Sequence, residues 1–209
     1  SAGVAHEIRN PLGAIKGAAE ILQDDYGPDD PKREFVQILL KETDRLNTIV
    51  REFLNFARPK QPEFQETNIN EVIDEVLSLC AQAARAAGVS VEKDLDRTIG
   101  HRNLDAALLK QAFLNLALNA IQAMQSGGAL RVRSSRNELG ITVTFTDTGA
   151  GISPADLKKL FQPFFTTKQD GTGLGLAITY RIIQNHRGTI DAASEPGAGT
   201  TFTVTLPGA

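Results

Sequence analysis

The stretch Ile141-Thr142-Val143-Thr144-Phe145-Thr146-Asp147-Thr148-Gly149-Ala150-Gly151 decides the fold of this chain. Its first six residues alternate apolar Ile141, Val143 and Phe145 with threonine, the period-two pattern of a strand with one buried face. The alternation stops at Asp147, so a carboxylate emerges at a strand end with small residues behind it. A planar ligand fits such a slot: the carboxylate accepts a hydrogen bond from an exocyclic amine such as that of adenine, while Gly149 and Gly151 let a ring approach the backbone. A flexible loop is the competing reading of the same glycines.

The pattern extends in both directions. Upstream, Leu130 to Ser134 alternates as a second strand, joined to the first as a hairpin around Asn137-Glu138-Leu139-Gly140. A long helix is predicted over about Leu104 to Met124, stopping at Gly127-Gly128. Before it, Asn70 to about Ala87 reads as a helix ending at Gly88, followed by a short strand over Val89 to Glu92. Downstream, a glycine-rich stretch to Gly175 leads into a helix reaching about His186, and then into strands Thr189 to Ala193 and Thr201 to Leu206 around the turn Glu195-Pro196-Gly197. The whole predicts an α/β sandwich with helices on one face of a mixed sheet.

Gly171-Thr172-Gly173-Leu174-Gly175 opens directly onto the apolar helix Leu176 to Ile183. Backbone amides at a helix start suit an anion, and glycines let phosphate oxygens reach them, although the same run also suits a flexible loop. A Walker loop is excluded because no lysine-serine/threonine ending follows, and a dinucleotide fingerprint because the run follows a polar loop rather than a strand. Asn115 and Asn119 share one face of an otherwise apolar helix and need partners. Either they satisfy each other and nearby backbone, or an amide oxygen ligates Mg²⁺ beside a triphosphate.

The first third of the chain has a different texture. Val4, Ile8, Leu12, Ile15, Ala19 and Leu22 recur at steps of four and three, the seam of a packed helix, and Asp24-Asp25-Tyr26-Gly27-Pro28-Asp29-Asp30-Pro31 supplies stop and turn chemistry. Phe35, Ile38, Leu39, Leu46, Ile49, Phe53 and Phe56 mark a second helix ending at Arg58-Pro59. Two amphipathic helices bury too little alone, so the hairpin is expected to dimerise into a four-helix bundle. Pro11 falls inside the first helix and is expected to bend or loosen it just after His6. His6 lies two residues from both Val4 and Ile8, so it faces away from the seam, and Asn10 shares that face one turn on. By itself His6 is either an idle surface histidine or a group that accepts and passes on a chemical group near neutral pH.

Composition narrows the field. The chain has 209 residues, 41% hydrophobic and 22% charged, as in ordinary globular protein of one or two domains. A net charge of −3 gives no basic excess for nucleic acid or an anionic membrane. The one cysteine, Cys80, excludes an internal disulfide and a cysteine-based zinc site, which suits the reducing cytoplasm. No apolar run is long enough to span a bilayer, so this segment is expected to make no membrane contact. The chain opens mid-helix at Ser1-Ala2-Gly3-Val4, as expected of a piece of a longer protein, whose missing N-terminal portion could carry an anchor.

Taken in order, five motifs resemble the signature boxes of the two-component sensor histidine kinases, with a nitrogen-regulatory flavour in Phe164-Phe165-Thr166-Thr167-Lys168. They are His6-Glu7-x-x-Asn10-Pro11, Asn115-x-x-x-Asn119-Ala120, Asp147-x-Gly149-x-Gly151, Phe161-x-Pro163-Phe164-Phe165 and Gly171-x-Gly173-x-Gly175. The resemblance implies a dimerisation and histidine-phosphotransfer hairpin over 1–58, a linker over 59–66, and over 67–209 an ATP-binding sandwich of the GHKL (Bergerat) type shared with Hsp90-like chaperones, gyrase and MutL.

It also implies roles. His6 would accept the γ-phosphate of ATP, with Glu7 as general base, and pass it to an aspartate of a response-regulator receiver. Asn10 would orient a water for dephosphorylating that regulator. Asn119 would hold Mg²⁺ with Asn115 near the phosphates. Asp147 would hold the adenine amine, with Gly149 and Gly151 lining the pocket and Thr200 or Thr201 adding a hydroxyl. Gly171, Gly173, Leu174 and Gly175 would shape the triphosphate site, with Lys168 as a point charge, under a lid from Phe161 to Thr172 packed down by Phe164 and Phe165. The chain departs from the family at His186-Arg187-Gly188, where many relatives have His-Gly-Gly; His186 and His101 are expected to be structural. A nucleotide-binding adaptor without turnover and an ATP-driven clamp related to the chaperones are the rival functions.

Overall fold

Helices α1 (Ala2–Asp25) and α2 (Pro31–Ala57) flank a turn in which Asp30 N–H donates to Gly27 O at 3.1 Å. The Asp30 carboxylate then takes the Lys32 N–H at 2.9 Å, and Pro31 starts α2 where no N–H is needed. The computed structural model describes residues 2–27, 30–57, 61–138, 140–168 and 171–207, with side chains for all of these except residues 2–7, 9 and 55. His6 and Glu7 therefore have their backbone in α1, while their side chains lie outside the described residues. The chain divides into two compact units, Ser1–Lys60 with Thr167–Thr172, and Gln61–Thr166 with Gly173–Ala209.

In the helical unit α1 buries Leu12 and Ala19, and α2 buries Val36 and Thr43. The Thr43 hydroxyl is satisfied by Leu39 O at 2.7 Å, and Lys16 Nζ meets Asp44 Oδ1 at 2.8 Å across the pair. Most of the remaining apolar residues stay exposed: Ile15 is 50% and Phe35 67% accessible, and Ile38, Leu39 and Leu46 are alike. The helix α1 runs without interruption through Pro11, so the proline costs a backbone bond without ending the helix.

The second unit is a two-layer sandwich. Strand β1 (Gln65–Thr67) precedes helix α3 (Ile69–Ala86), which Asn68 caps by accepting the Asn70 N–H and which ends at Gly88, φ +67°. Strands β2 (Val89–Leu95) and β3 (Arg102–Leu104) lead to helix α4 (Ala106–Gln122). Then come the hairpin β4 (Gly128–Asn137) and β5 (Gly140–Asp147), the one-turn helix α5 (Pro154–Leu157), helix α6 (Gly175–Asn185), and strands β6 (Thr189–Glu195) and β7 (Gly199–Pro207). The main sheet runs β2-β4-β5-β7-β6, with β2 parallel to β4 and every other pair antiparallel, so the mixed sheet expected from the sequence is present.

Its inward residues are those the alternation selects: Leu130, Val132, Val143, Phe145, Phe202 and Val204, all buried under α3, α4 and α6. On the other face Arg131 pairs with Glu92 at 2.8 Å and Arg133 with Asp94 at 2.7 Å, each directly across the β2–β4 ladder.

The structure differs from expectation in two places. Gln65 and Glu66, read as linker, form β1 with Thr67 and pair antiparallel with Arg102–Leu104. Leu104, read as the start of the long helix, is thereby drawn into β3, and α4 begins two residues later because Asp105 caps it, accepting the Leu108 N–H at 2.9 Å. A three-residue strand has no period to read, and Leu104 fits the apolar rhythm of the helix that follows.

The rings of Phe113 on α4 and Phe145 on β5 meet at 5.4 Å and both are fully buried. Truncating Phe113 leaves a cavity between helix layer and sheet, so Phe113→Ala is expected to cost about 3–5 kcal/mol of sandwich stability, read as a lowered denaturant midpoint.

Candidate functional site

Strand β5 delivers Asp147 to the helix side of the sheet, since residues 141, 143, 145 and 147 share one face. Asp147 is buried, and one of its oxygens, Oδ1, accepts both the Gly149 N–H at 2.8 Å and the Thr200 N–H at 3.2 Å. That leaves Oδ2 as the acceptor for a ligand amine. Burial pushes the Asp147 carboxyl above its ordinary value, and the two backbone donors pull it part of the way back.

Backbone crowds closely around this carboxylate. A Cβ on Gly149 would come within 2.7 Å of Ala123 O, and one on Gly151, at φ +70°, within 2.0 Å of Glu195 O. These glycines thus make room for the protein itself, the C-terminal end of α4 and the β6–β7 turn, which approach at the base of the slot. Backbone bonds from Ala150 N–H to Ala123 O at 3.2 Å and from Gly197 N–H to Ala150 O at 2.8 Å lock both approaches.

The two threonines expected near Asp147 separate. Thr200 is buried opposite Asp147 in the β5–β7 ladder, whereas Thr201 faces the other side of the sheet, its hydroxyl 3.1 Å from that of Thr146. Strand parity could have decided this, because Phe202, Val204 and Leu206 fix which face of β7 is buried. Ser194, which the sequence reading missed, supports Thr200: its hydroxyl takes the Ile152 N–H at 2.8 Å, donates to Gly199 O at 2.8 Å and lies 2.9 Å from Thr200 Oγ1. Nothing in the sequence distinguishes Ser194 from the other serines.

Across the helix layer, Asn119 Nδ2 donates to Asn115 Oδ1 at 3.4 Å, and Asn115 Nδ2 donates to Thr179 Oγ1 at 2.9 Å. Gly175 opens α6 so close to Asn115 that a Cβ there would lie 2.5 Å from its Oδ1. Leu174, fully buried, stands at the N-cap of α6, where its own apolar side chain offers no cap. Gly173, at φ +68°, carries the carbonyl that accepts the Phe164 N–H at 2.9 Å. Phe161 makes a ring contact to α6, at 5.5 Å from Tyr180; Phe164 is in the left-handed region at φ 66° and 59% exposed.

Lys168 and Gly171 group with the helical unit, where Gly171 N–H donates to Lys168 O at 3.3 Å, so the structure does not bring them into the unit that carries Asp147. Asn10 lies exposed on α1. Among the described residues no three histidine, cysteine, aspartate or glutamate side chains gather as a metal centre. His186 is buried with both ring nitrogens engaged: Nδ1 lies 2.8 Å from Ile182 O, Nε2 accepts the Asp105 N–H at 3.0 Å, and Phe64 packs edge-on at 5.4 Å. It is a structural histidine, and His101 lies exposed just before β3.

A mixed sheet under three helices, with a strand-end carboxylate and a glycine-bounded helix start, defines a nucleotide-binding ATPase sandwich. Residues 104–209 match the family of histidine kinase-, DNA gyrase B- and HSP90-like ATPases, and residues 1–62 match the His Kinase A (phospho-acceptor) domain. The chain belongs to the sensor histidine kinases of two-component signalling.

It is 42% identical over 207 residues to the signal transduction histidine-protein kinase AtoS of Escherichia coli, covering 99% of this chain and 34% of AtoS. The crystal structure of full-length ShkA in complex with AMPPNP superposes with a TM-score of 0.83 at 26% identity, over 99% of this chain and 45% of that one. The complex of histidine kinase ThkA with response regulator protein TrrA gives 0.74 at 31% identity, over 100% and 60%. The chain thus spans about a third of the length of AtoS. Among the described residues no helix is long and apolar enough to cross a membrane.

Because the ionised form of buried Asp147 is the disfavoured one, its cost to stability is absent below the ordinary carboxylate range and grows as pH rises through the raised value. Asp147→Asn keeps an oxygen for the Gly149 and Thr200 donors and removes the charge. At pH 7 it is expected to raise the melting temperature by a few degrees, the gain vanishing below about pH 4, while nucleotide affinity is lost.

Proposed function

We propose that this chain binds ATP in the sandwich and transfers its γ-phosphate to His6. The observation that carries the reading is the Asp147 carboxylate, buried, with both backbone donors on Oδ1 and Oδ2 left for the adenine amine. Thr200 stands beside it, with Gly149 and Gly151 closing the base of the pocket. Gly173, Leu174 and Gly175 would shape the triphosphate site at the glycine-bounded start of α6, and the family resemblance assigns Gly171 and Lys168 to its lid.

Asn119, with Asn115, suits Mg²⁺: a hard cation takes neutral amide oxygens readily, and the approach of Gly175 to Asn115 brings the glycine run against this pair. The cation would neutralise charge on the phosphates. The ShkA complex with AMPPNP supports nucleotide binding in this fold.

In the transfer step an imidazole nitrogen of His6 attacks the γ-phosphorus, an N–P bond forms, the bond to the bridging oxygen of ADP breaks, and Glu7 takes the imidazole proton. The phosphohistidine then passes its phosphate to an aspartate of a response-regulator receiver, a partnership the ThkA–TrrA complex supports. The hairpin over 1–58 would pair with a second copy, which its exposed Ile15, Phe35, Ile38 and Leu46 favour, and a linker over 59–66 would join it to the catalytic domain over 67–209. We place this segment in the cytoplasm.

Incubation with γ-labelled ATP and Mg²⁺ is expected to leave an acid-labile, base-stable label on the chain that disappears in His6→Gln. Label persisting in that variant, bound ATP without label, or free phosphate alone would each overturn the reading, the last two in favour of an adaptor or a clamp. Asn10 is assigned to dephosphorylation of the regulator. Asn10→Ala is expected to slow that step at least tenfold while the label on His6 is retained.

A further inference from the structure

Asp147, Thr200 and Ser194 stand side by side across β5, β7 and β6, one residue from each strand, on the face turned toward the helices. Polar side chains packed in such a row require partners. The Ser194 hydroxyl has three: Oγ lies 2.8 Å from the Ile152 nitrogen, 2.8 Å from Gly199 O and 2.9 Å from Thr200 Oγ1.

A hydroxyl both donates and accepts, so a pair of hydroxyls by itself has no fixed sense. Here the sense is fixed from outside the pair. The Ile152 N–H can only donate and the Gly199 carbonyl can only accept, so the single Ser194 hydrogen lies on the bond to Gly199 O. The hydrogen between Ser194 and Thr200 must then be Thr200's own. With that hydrogen committed, Thr200 Oγ1 offers lone pairs alone, and among the described residues nothing else bonds to it. Ionised Asp147, directly across the ladder, likewise only accepts. Neither side chain has a hydrogen left to give.

We propose that Ser194 is a positioning residue that sets nucleobase specificity: by committing the Thr200 hydrogen it makes the base pocket one of acceptors, which admits an exocyclic amine and turns away a keto oxygen. The inference rests on the reading of Asp147 and Thr200 as the place where the base is held. An amine has two hydrogens to offer, whereas a keto oxygen there would meet lone pairs on both residues. Selection thus works by repulsion as well as attraction.

The test is calorimetric titration of ATP and of ITP, whose base carries a keto oxygen in place of the adenine amine. Both are titrated with Mg²⁺ into the whole chain carrying His6→Gln, so that no phosphate is transferred. That parent is expected to favour ATP. Ser194→Ala releases the Thr200 hydrogen, so ITP is expected to bind about fivefold tighter while ATP changes by less than about twofold, the size expected for one hydrogen bond. Ser194→Val, which fills the space a water could take, repeats the result. In a Thr200→Val background Ser194→Ala is expected to leave the ATP-to-ITP ratio unmoved, because no hydroxyl remains to redirect. Equal weakening of both nucleotides, or an undiminished effect of Ser194→Ala without the Thr200 hydroxyl, would mean a structural role and overturn the proposal. If Asp147→Asn shifts the ratio toward ITP and Ser194→Ala does not, the proposal is wrong and the base-binding reading stands. If Asp147→Asn leaves the ratio unchanged, that reading falls, and the proposal falls with it.

Discussion

A single carboxylate oxygen organises the sandwich. Asp147 Oδ1 holds the first turn after β5 through Gly149 N–H and the first residues of β7 through Thr200 N–H, so one atom joins the exit of one strand to the entry of its neighbour. Burying a charge is costly unless donors compensate it, and here they compensate only one of the two oxygens. Burial therefore disfavours the ionised carboxylate, at some expense to the stability of the sandwich. The glycines at 149 and 151 allow the α4 terminus and the β6–β7 turn to press against this point, and Ser194 fastens the turn from behind. On the proposed reading, the same tight binding of strand ends would also set the place at which a nucleotide base is recognised.

The second anchor of the site lies across the helix layer. The contact of α4 with α6 joins the asparagine pair to the helix that opens with the glycine run, through the Thr179 hydroxyl and the close approach of Gly175. The asparagine pair and the glycine run proposed to meet the phosphates thus share one helix–helix seam. Regular elements hold the polar side chains, and glycine-rich backbone supplies the approach.

Much of this was legible because the signals are periodic. The alternation from Ile141 to Thr146 gave strand, buried face and the position of Asp147 together, and the two helical repeats before Pro59 separated hairpin from sandwich. What could not be read has physical causes. Strands β1 and β3 are too short to show a period, so Gln65 and Leu104 were drawn toward their neighbours' patterns. Thr200 and Thr201 are indistinguishable as letters and are told apart only by the parity of β7. The asparagines left two readings open, mutual satisfaction or a cation, and the structure shows the first: Asn119 bonds Asn115, whose own amide nitrogen bonds Thr179. Ser194 and Thr179 are ordinary polar residues until tertiary packing brings them to distant partners.

The charged ladder on the outer face of β2 and β4 has a consequence for the molecule in a crowded solution. β2 is an outermost strand of the main sheet, with one row of backbone donors and acceptors turned away from β4. Such a row invites a foreign strand to continue the sheet. Glu92, Lys93 and Asp94 stand along that strand, paired with Arg131, Asp74 and Arg133, so an incoming strand would meet a run of charged, hydrated side chains. At the opposite border, β6 carries Asp191 and Glu195. Charged side chains thus mark both outer strands of the sheet, the kind of residue that discourages continuation by a foreign strand.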